Sequence, residues 1–155
     1  MSQQQQGITL EEALEQLNLL EQQLKQLQAA VAELEARLAQ LSALEDALTR
    51  LKNGSDDVLI PLDPRATVLA RGSLKPLEKV IVHAGSGVFV ELPHEKALNV
   101  VRDEKASVSK LLDAYTREMA KLSQYYEALR AAIEQAIGAA QAAALQGQQG
   151  QGKRQ

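Results

Sequence analysis

The sequence predicts an α+β fold that is mainly α: a long antiparallel two-helix coiled coil with two β-hairpins at the bend. Three observations predict it. Residues 9 to about 52 and 94 to about 145 carry apolar stripes that alternate in steps of three and four, the signature of helices packed on helices. Residues 54–93 between them change texture to Val, Ile and turn formers. Among 155 residues, 45% are apolar but only three Tyr and one Phe are aromatic. That composition suits Leu/Ala seams better than a thick globular core.

The first helix opens at Thr9 and Glu12, a T-x-x-E capping box in which each side chain satisfies a free backbone N–H, with Ile8 placed to staple the first turn. Leu17, Leu20, Leu24, Leu27, Val31, Leu34, Leu38 and Leu41 form an unbroken heptad stripe that demands a left-handed supercoil. After Leu41 the apolar pattern slips: Glu45 stands in the next slot while Leu44, Leu48 and Leu51 carry the leucines on, so a local stammer is expected. Lys52-Asn53-Gly54 ends the helix with a cation for its dipole and residues that tolerate a left-handed backbone.

The hairpin segment follows. Residues 57–62 and 66–71 read as strands joined at Asp63-Pro64-Arg65, and residues 78–84 and 88–92 as a second pair joined at Gly85-Ser86-Gly87. Pro61 suits a strand end because it has no N–H for a ladder. Pro93 suits the first turn of the second helix, whose seam runs Leu98, Val101, Lys105, Val108, Leu112, Tyr115, Met119, Leu122, Tyr126, Leu129, Ile133, Ala136 and Ala140. Lys105 is its one charged member, expected to lay its stem along the seam with the amine in water. With the hairpins as the turn-back, positions summing to about 146 face each other, give or take a turn, so Leu41 meets Lys105 and Leu17 meets Leu129. The ends, 1–8 and 146–155, are Gln/Gly-rich and expected to be disordered tails.

Isolated hairpins are marginal in water, and their apolar faces and free edges need other subunits. An obligate oligomer built through the strands is therefore expected, with Val58, Ile60, Val68, Val80, Val82, Val88, Phe89 and Val90 as its contact residues. The other ends of the helices carry Ile8, Leu10, Leu14, Leu17 and Leu20 on one helix, with Leu129, Ile133, Ile137 and Leu145 on the other. These are the candidates for an apolar surface that grips other chains; of the adjacent Leu19 and Leu20, at least one must point off the seam.

Composition narrows the functional classes. With no cysteine there is no disulfide framework, thiol nucleophile or Cys-built zinc site. A net charge of -3 offers no basic field for nucleic acid. The start, Met1 to Gly7, lacks the basic and apolar parts of a secretory signal, and no run is apolar enough to span a bilayer, so no membrane partner and a cytoplasmic location are expected. Gly85-Ser86-Gly87 lacks the G-K-S/T of a phosphate loop, and His94-Glu95 has Leu98 where a second zinc-binding histidine would stand. His83 and His94 read as surface or edge histidines, and Glu33, Glu35, Asp103 and Glu104 as solvent-facing charges. No catalytic residue, cofactor or metal site is assigned; the chain reads as a non-enzyme.

Val58-Leu59-Ile60-Pro61-Leu62 in the first hairpin and Val80-Ile81-Val82-His83-Ala84-Gly85-Ser86-Gly87-Val88-Phe89-Val90-Glu91 in the second resemble the prefoldin alpha subunits of the archaeal type, over roughly residues 9–140. Two hairpins between long coiled-coil helices, against one in beta-type subunits, and the G-x-G-V-F-V-E turn and strand carry the likeness. The sequence departs near Leu69, where many relatives have an aromatic, and at Asp63-Pro64-Arg65, a turn that is often Gly/Ser-rich. The resemblance implies a hexamer of two alpha and four beta subunits, with the two β-hairpins at the bend contributing to an oligomeric β-barrel. It further implies an ATP-independent chaperone that captures non-native proteins and passes them to a group II chaperonin. From the residues alone, a structural coiled-coil adaptor tethering specific folded partners is the alternative.

Overall fold

A computed structural model describes residues 7–151. In chain order it contains α1 (Leu10–Arg50), β1 (Ser55–Pro61), β2 (Leu69–Leu74), β3 (Lys79–Gly85), β4 (Val88–Pro93) and α2 (His94–Gln151). The outermost parts of the expected tails, 1–6 and 152–155, lie outside the described residues. Helix α2 continues through 146–151, where a tail was expected. Gly147 and Gly150 each cost a helix about 1 kcal/mol relative to Ala, but the surrounding Ala and Gln are good helix formers. The chain divides into two compact units, one of residues up to Ala32 together with those from Asp113 on, the other of Glu33–Leu112.

In the first unit α1 starts at the expected box: the Thr9 N–H donates to Glu12 Oε2 at 2.9 Å and the Glu12 N–H to Thr9 Oγ1 at 3.2 Å. Ala13, Leu17, Leu20, Leu24, Leu27 and Val31 of α1 are buried or half-buried, as are Tyr115, Met119, Leu122, Tyr126, Leu129 and Ile133 of α2. Leu10 and Ala13 line one small cavity with Ile133 and Ala136, so the segments run antiparallel with facing positions near a sum of 146. Ala136 and Ala140, the last members of the α2 stripe, are exposed, at and beyond the level where α1 begins at Leu10.

In the second unit the centre of the packing is Leu41 and Ala97, each 1% exposed. The seam there corrects the expected stammer. Glu45 and Leu48 stay in the half-buried stripe after Leu41, whereas Leu44 is 46% exposed. The heptad spacing is therefore unbroken, and a carboxylate occupies one seam slot. What makes that tolerable is the charge opposite. Lys105 Nζ lies 3.3 Å from Glu45 Oε2 and Arg102 Nε 3.3 Å from Glu45 Oε1. Lys105, still 37% exposed along its side chain, thus ends on a carboxylate one turn along from Leu41. Glu104 also has a partner, Arg37, although both stay nearly half exposed.

His94 is the second correction. Instead of lying at the surface it is only 8% exposed, and its Nε2 sits 2.7 Å from the Leu48 carbonyl oxygen in the last turns of α1. The carbonyls that end a helix lack intrahelical donors, and here a side chain from the start of α2 supplies one. The link between the hairpins straps the same place: the Leu77 N–H donates to the Lys52 carbonyl at 2.9 Å, and the His94 N–H to the Glu78 carbonyl at 3.0 Å. Gly54, at φ +78°, is the one residue type that fits between, since a Cβ there would stand 2.4 Å from the Leu74 carbonyl oxygen.

The strands form two separate two-stranded antiparallel sheets, β1–β2 and β3–β4. β2 begins at Leu69 rather than at residue 66, because Asp63 organises a longer loop. Its carboxylate accepts from the N–H of Arg65 and Val68, both at 3.1 Å, and from Thr67 Oγ1 at 3.0 Å, while Ala66 takes φ +55°. Pro61 closes β1 opposite Leu69, and Pro93 is the last residue of β4 rather than the first of α2. In the second hairpin Ser86 and Gly87, both at positive φ, make the two-residue turn between paired Gly85 and Val88. Two positive φ values in succession are those of a type I′ turn, whose twist matches that of the strands.

Candidate functional site

Two surfaces stand out, one in each unit. On the second hairpin, register pairs Ile81 with Glu91 and His83 with Phe89, and the intervening pairs are Val80 with Leu92 and Val82 with Val90. Side chains alternate between the faces of a strand, so these pairs belong to opposite faces. Ile81 is 73% and Phe89 65% exposed, with the Phe89 ring tilted against that of His83 at a centroid distance of 5.0 Å. Val80 and Val82 are half-buried over a groove of about 310 Å³ whose other walls include Leu44, Leu48, Ala97 and Val101. On the first hairpin Leu59, Ile60, Leu62, Val68 and Leu69 are all exposed. Each of the four strands has one edge without a strand partner among the described residues. Apolar faces and free edges together constitute an unfinished sheet.

The other surface lies where α1 begins. Ile8 and Leu10 are exposed there and wall a cavity of about 240 Å³ with Ala13, Leu129, Ile133 and Ala136; Leu14, Ile137 and Leu145 are further exposed apolar residues of the same unit.

The sequence pattern described as "Prefoldin subunit" matches residues 20–139. The chain belongs to the prefoldin family. It is 62% identical over 144 residues to the prefoldin subunit alpha of Hyperthermus butylicus, spanning 92% of this chain and 94% of that one. It is 28% identical to the prefoldin subunit alpha of Saccharolobus solfataricus over 97% of this chain and all of the relative. Among solved structures it is similar to a chain of the filamentous PFD of Methanocaldococcus jannaschii, determined by cryo-electron microscopy, with a TM-score of 0.63 and 25% identity, covering 76% of this chain and 97% of that one. The resemblance read from the two hairpins to the archaeal alpha type of prefoldin is thereby borne out, and the chain is a subunit of a prefoldin chaperone.

The structure sorts the residues singled out for the two prefoldin surfaces. Of the hairpin set, Ile60, Val68, Val88, Phe89 and Val90 are exposed, whereas Val58, Val80 and Val82 are half-buried. Val68 sits in the Asp63 loop rather than in β2, although its carbonyl still accepts the Leu62 N–H at 2.9 Å. Leu59, Leu62, Leu69 and Ile81, outside that set, are exposed as well. For Leu59 and Ile81 the consecutive apolar runs 58–60 and 80–82 were the signal: a strand with apolar residues on both faces is not the half-buried kind. Of the helix-end set, Leu20 and Ile133 are seam core, and Leu17 and Leu129 are half-buried in the same seam. Leu19, adjacent to Leu20, is the one that points outward, at 59% exposed.

Two carboxylates are held ionised below their usual range. Glu45 is lowered chiefly by hydrogen bonding to Lys105 and next to Arg102; Asp63 is lowered chiefly by the Val68 N–H and further by Thr67 and Arg65. Both act as structural acceptors. Among the described residues no group of three His, Cys, Asp or Glu is arranged to hold a metal ion, and no helix is long and apolar enough to cross a membrane. Apolar surface and unpaired backbone edges are what this prefoldin chain offers, and both are recognition elements for polypeptide.

Proposed function

We propose that the chain acts as an ATP-independent holdase subunit in the cytoplasm. It joins beta-type prefoldin subunits, in a hexamer of two alpha and four beta, through residues 57–92. It takes hold of non-native polypeptides with the apolar side chains near the start of α1 and the end of α2, and it hands them on to a group II chaperonin. The single observation that carries the client-binding part is the exposure of Ile8, Leu10, Leu14, Ile137 and Leu145 in the unit that holds the start of α1 and the end of α2, with Ile8 and Leu10 at the mouth of an apolar cavity. Five large apolar side chains left in solvent by one unit are available to touch apolar segments of other chains. Each contact is weak and releasable; several subunits engaging one client multiply them through effective concentration. No nucleotide is needed for such a cycle of capture and release.

The test is to remove residues 1–17 together with 130–155, reconstitute with a beta subunit, and follow aggregation of two unrelated unfolding proteins by light scattering. Assembly is expected to persist, because the hairpins are untouched, while suppression of aggregation is lost. Unchanged suppression by an intact hexamer would defeat the client-binding assignment.

A further inference from the structure

After Leu41 helix α1 has two ways to continue its seam. It can keep the heptad and bury position 45, which is Glu, or shift by one residue and bury Leu44, continuing to Leu48 and Leu51. The second course buries more apolar surface but overwinds the coil locally. The structure takes the first. Glu45, with 24% of its side chain exposed, is turned into the seam, and Leu44 is left 46% exposed. The groups facing the Glu45 carboxylate are Lys105 and Arg102 of α2, each 3.3 Å away.

We propose that the Glu45–Lys105–Arg102 cluster is a rotational lock. By making the Glu45 slot electrostatically complementary to α2, it selects the heptad-continuous setting of α1 over the Leu44 setting. The consequence is local and specific: Leu44 is held on the outer side, where it forms a wall of the groove under Val80 and Val82 together with Val101. Without the lock, Leu44 would turn into the seam and the groove would lose that wall. A carboxylate in a mostly apolar seam is tolerable only while its partners stand opposite, since a half-buried charge stripped of them is strongly unfavourable. One charged residue at a seam position specifying alignment at the expense of packing is a known use of such groups in coiled coils. Here Lys105, on the facing helix, gives that charge its meaning.

The chain has no cysteine, so a single thiol reports its own surroundings. The experiment places Leu44→Cys in the full chain and measures its rate of maleimide labelling, with and without Lys105→Leu plus Arg102→Gln, checking helix content by circular dichroism. With the cluster intact Cys at 44 is expected to label quickly. With both cations removed the rate should fall about tenfold or more, as position 44 turns inward. Lys105→Arg, which keeps the charge, should retain the fast rate. An unchanged rate in the cation-free variant with helix content retained would overturn the lock. A rate above the starting one, with helix content lost, would also overturn it, by showing that the cluster merely holds the helices together. Ala43→Cys, exposed in this setting, serves as a second reporter that should stay accessible while position 44 closes.

Discussion

His94 shows how one side chain can serve two helices. It begins α2, and its ring is bonded at 2.7 Å to the Leu48 carbonyl, one of the acceptors that α1 leaves unpaired at its C-terminus. Removing the ring would take the donor from that part-buried carbonyl. His94→Ala is therefore expected to lower unfolding stability by roughly 1–3 kcal/mol, measured by urea denaturation. Glu45 makes a second prediction at this scale. Its carboxyl is held below the ordinary glutamate range, about 4.3, by Lys105 first and Arg102 second. A lowered folded pKa means that the contribution to stability is complete above the unfolded value and is lost as pH falls through the folded one. Melting temperature should accordingly decline on acidification below about pH 4. In Lys105→Ala, the Glu45 carboxyl titration followed by NMR should move up towards the ordinary value. An unmoved titration would show that Lys105 is not the main partner.

At the scale of elements, the junction between α1 and the hairpins depends on close approach. Gly54 combines a left-handed backbone with a site where a Cβ would meet the Leu74 carbonyl oxygen at 2.4 Å. Both penalties act against Gly54→Ala: about 1–2 kcal/mol for the left-handed conformation alone, and more for displacing the strap from residue 74 to 76. A stability loss of roughly 2 kcal/mol or more is expected by denaturant titration, with faster hydrogen exchange at the Leu77 N–H, which donates to Lys52. The elements themselves were largely legible in the residues. The T-x-x-E box, the 3,4 stripes and the Gly85-Ser86-Gly87 turn each act through contacts a few residues apart, so their outcome can be read locally. The start of β2 could not be: the Asp63 carboxylate reaches Val68, five positions on, and that reach moved the first paired residue to Leu69. The stammer expected after Leu41 failed for a similar reason. Leucine spacing on one helix says what could be buried, but the cations on the facing helix determined which alternative was.

At the scale of the whole molecule, a prefoldin chain of this kind has its apolar strand faces unspent. Ile81 and Phe89 are 73% and 65% exposed, so changing them should cost the single chain little. In contact with neighbouring subunits the same positions would be covered. Ile81→Asp with Phe89→Asp is expected to leave helix content and melting of the isolated chain nearly unchanged, yet to prevent co-assembly with a beta subunit, read as mass by light scattering after size exclusion. Full-sized assemblies from the doubly charged variant would show that these faces are not the joining surface.

Through periodicities and caps that operate within one or two turns, the residues by themselves determined that this protein is two long helices around two hairpins, and that its strands lack cover. Only the tertiary structure decided that Glu45 rather than Leu44 enters the seam, that His94 is buried as a cap, and which leucines near the helix ends are core and which are free. The physical reason is the same in each case. These outcomes depend on which group lies opposite, and that is set by pairing between residues some 45 to 120 positions apart, whose alignment no local pattern contains.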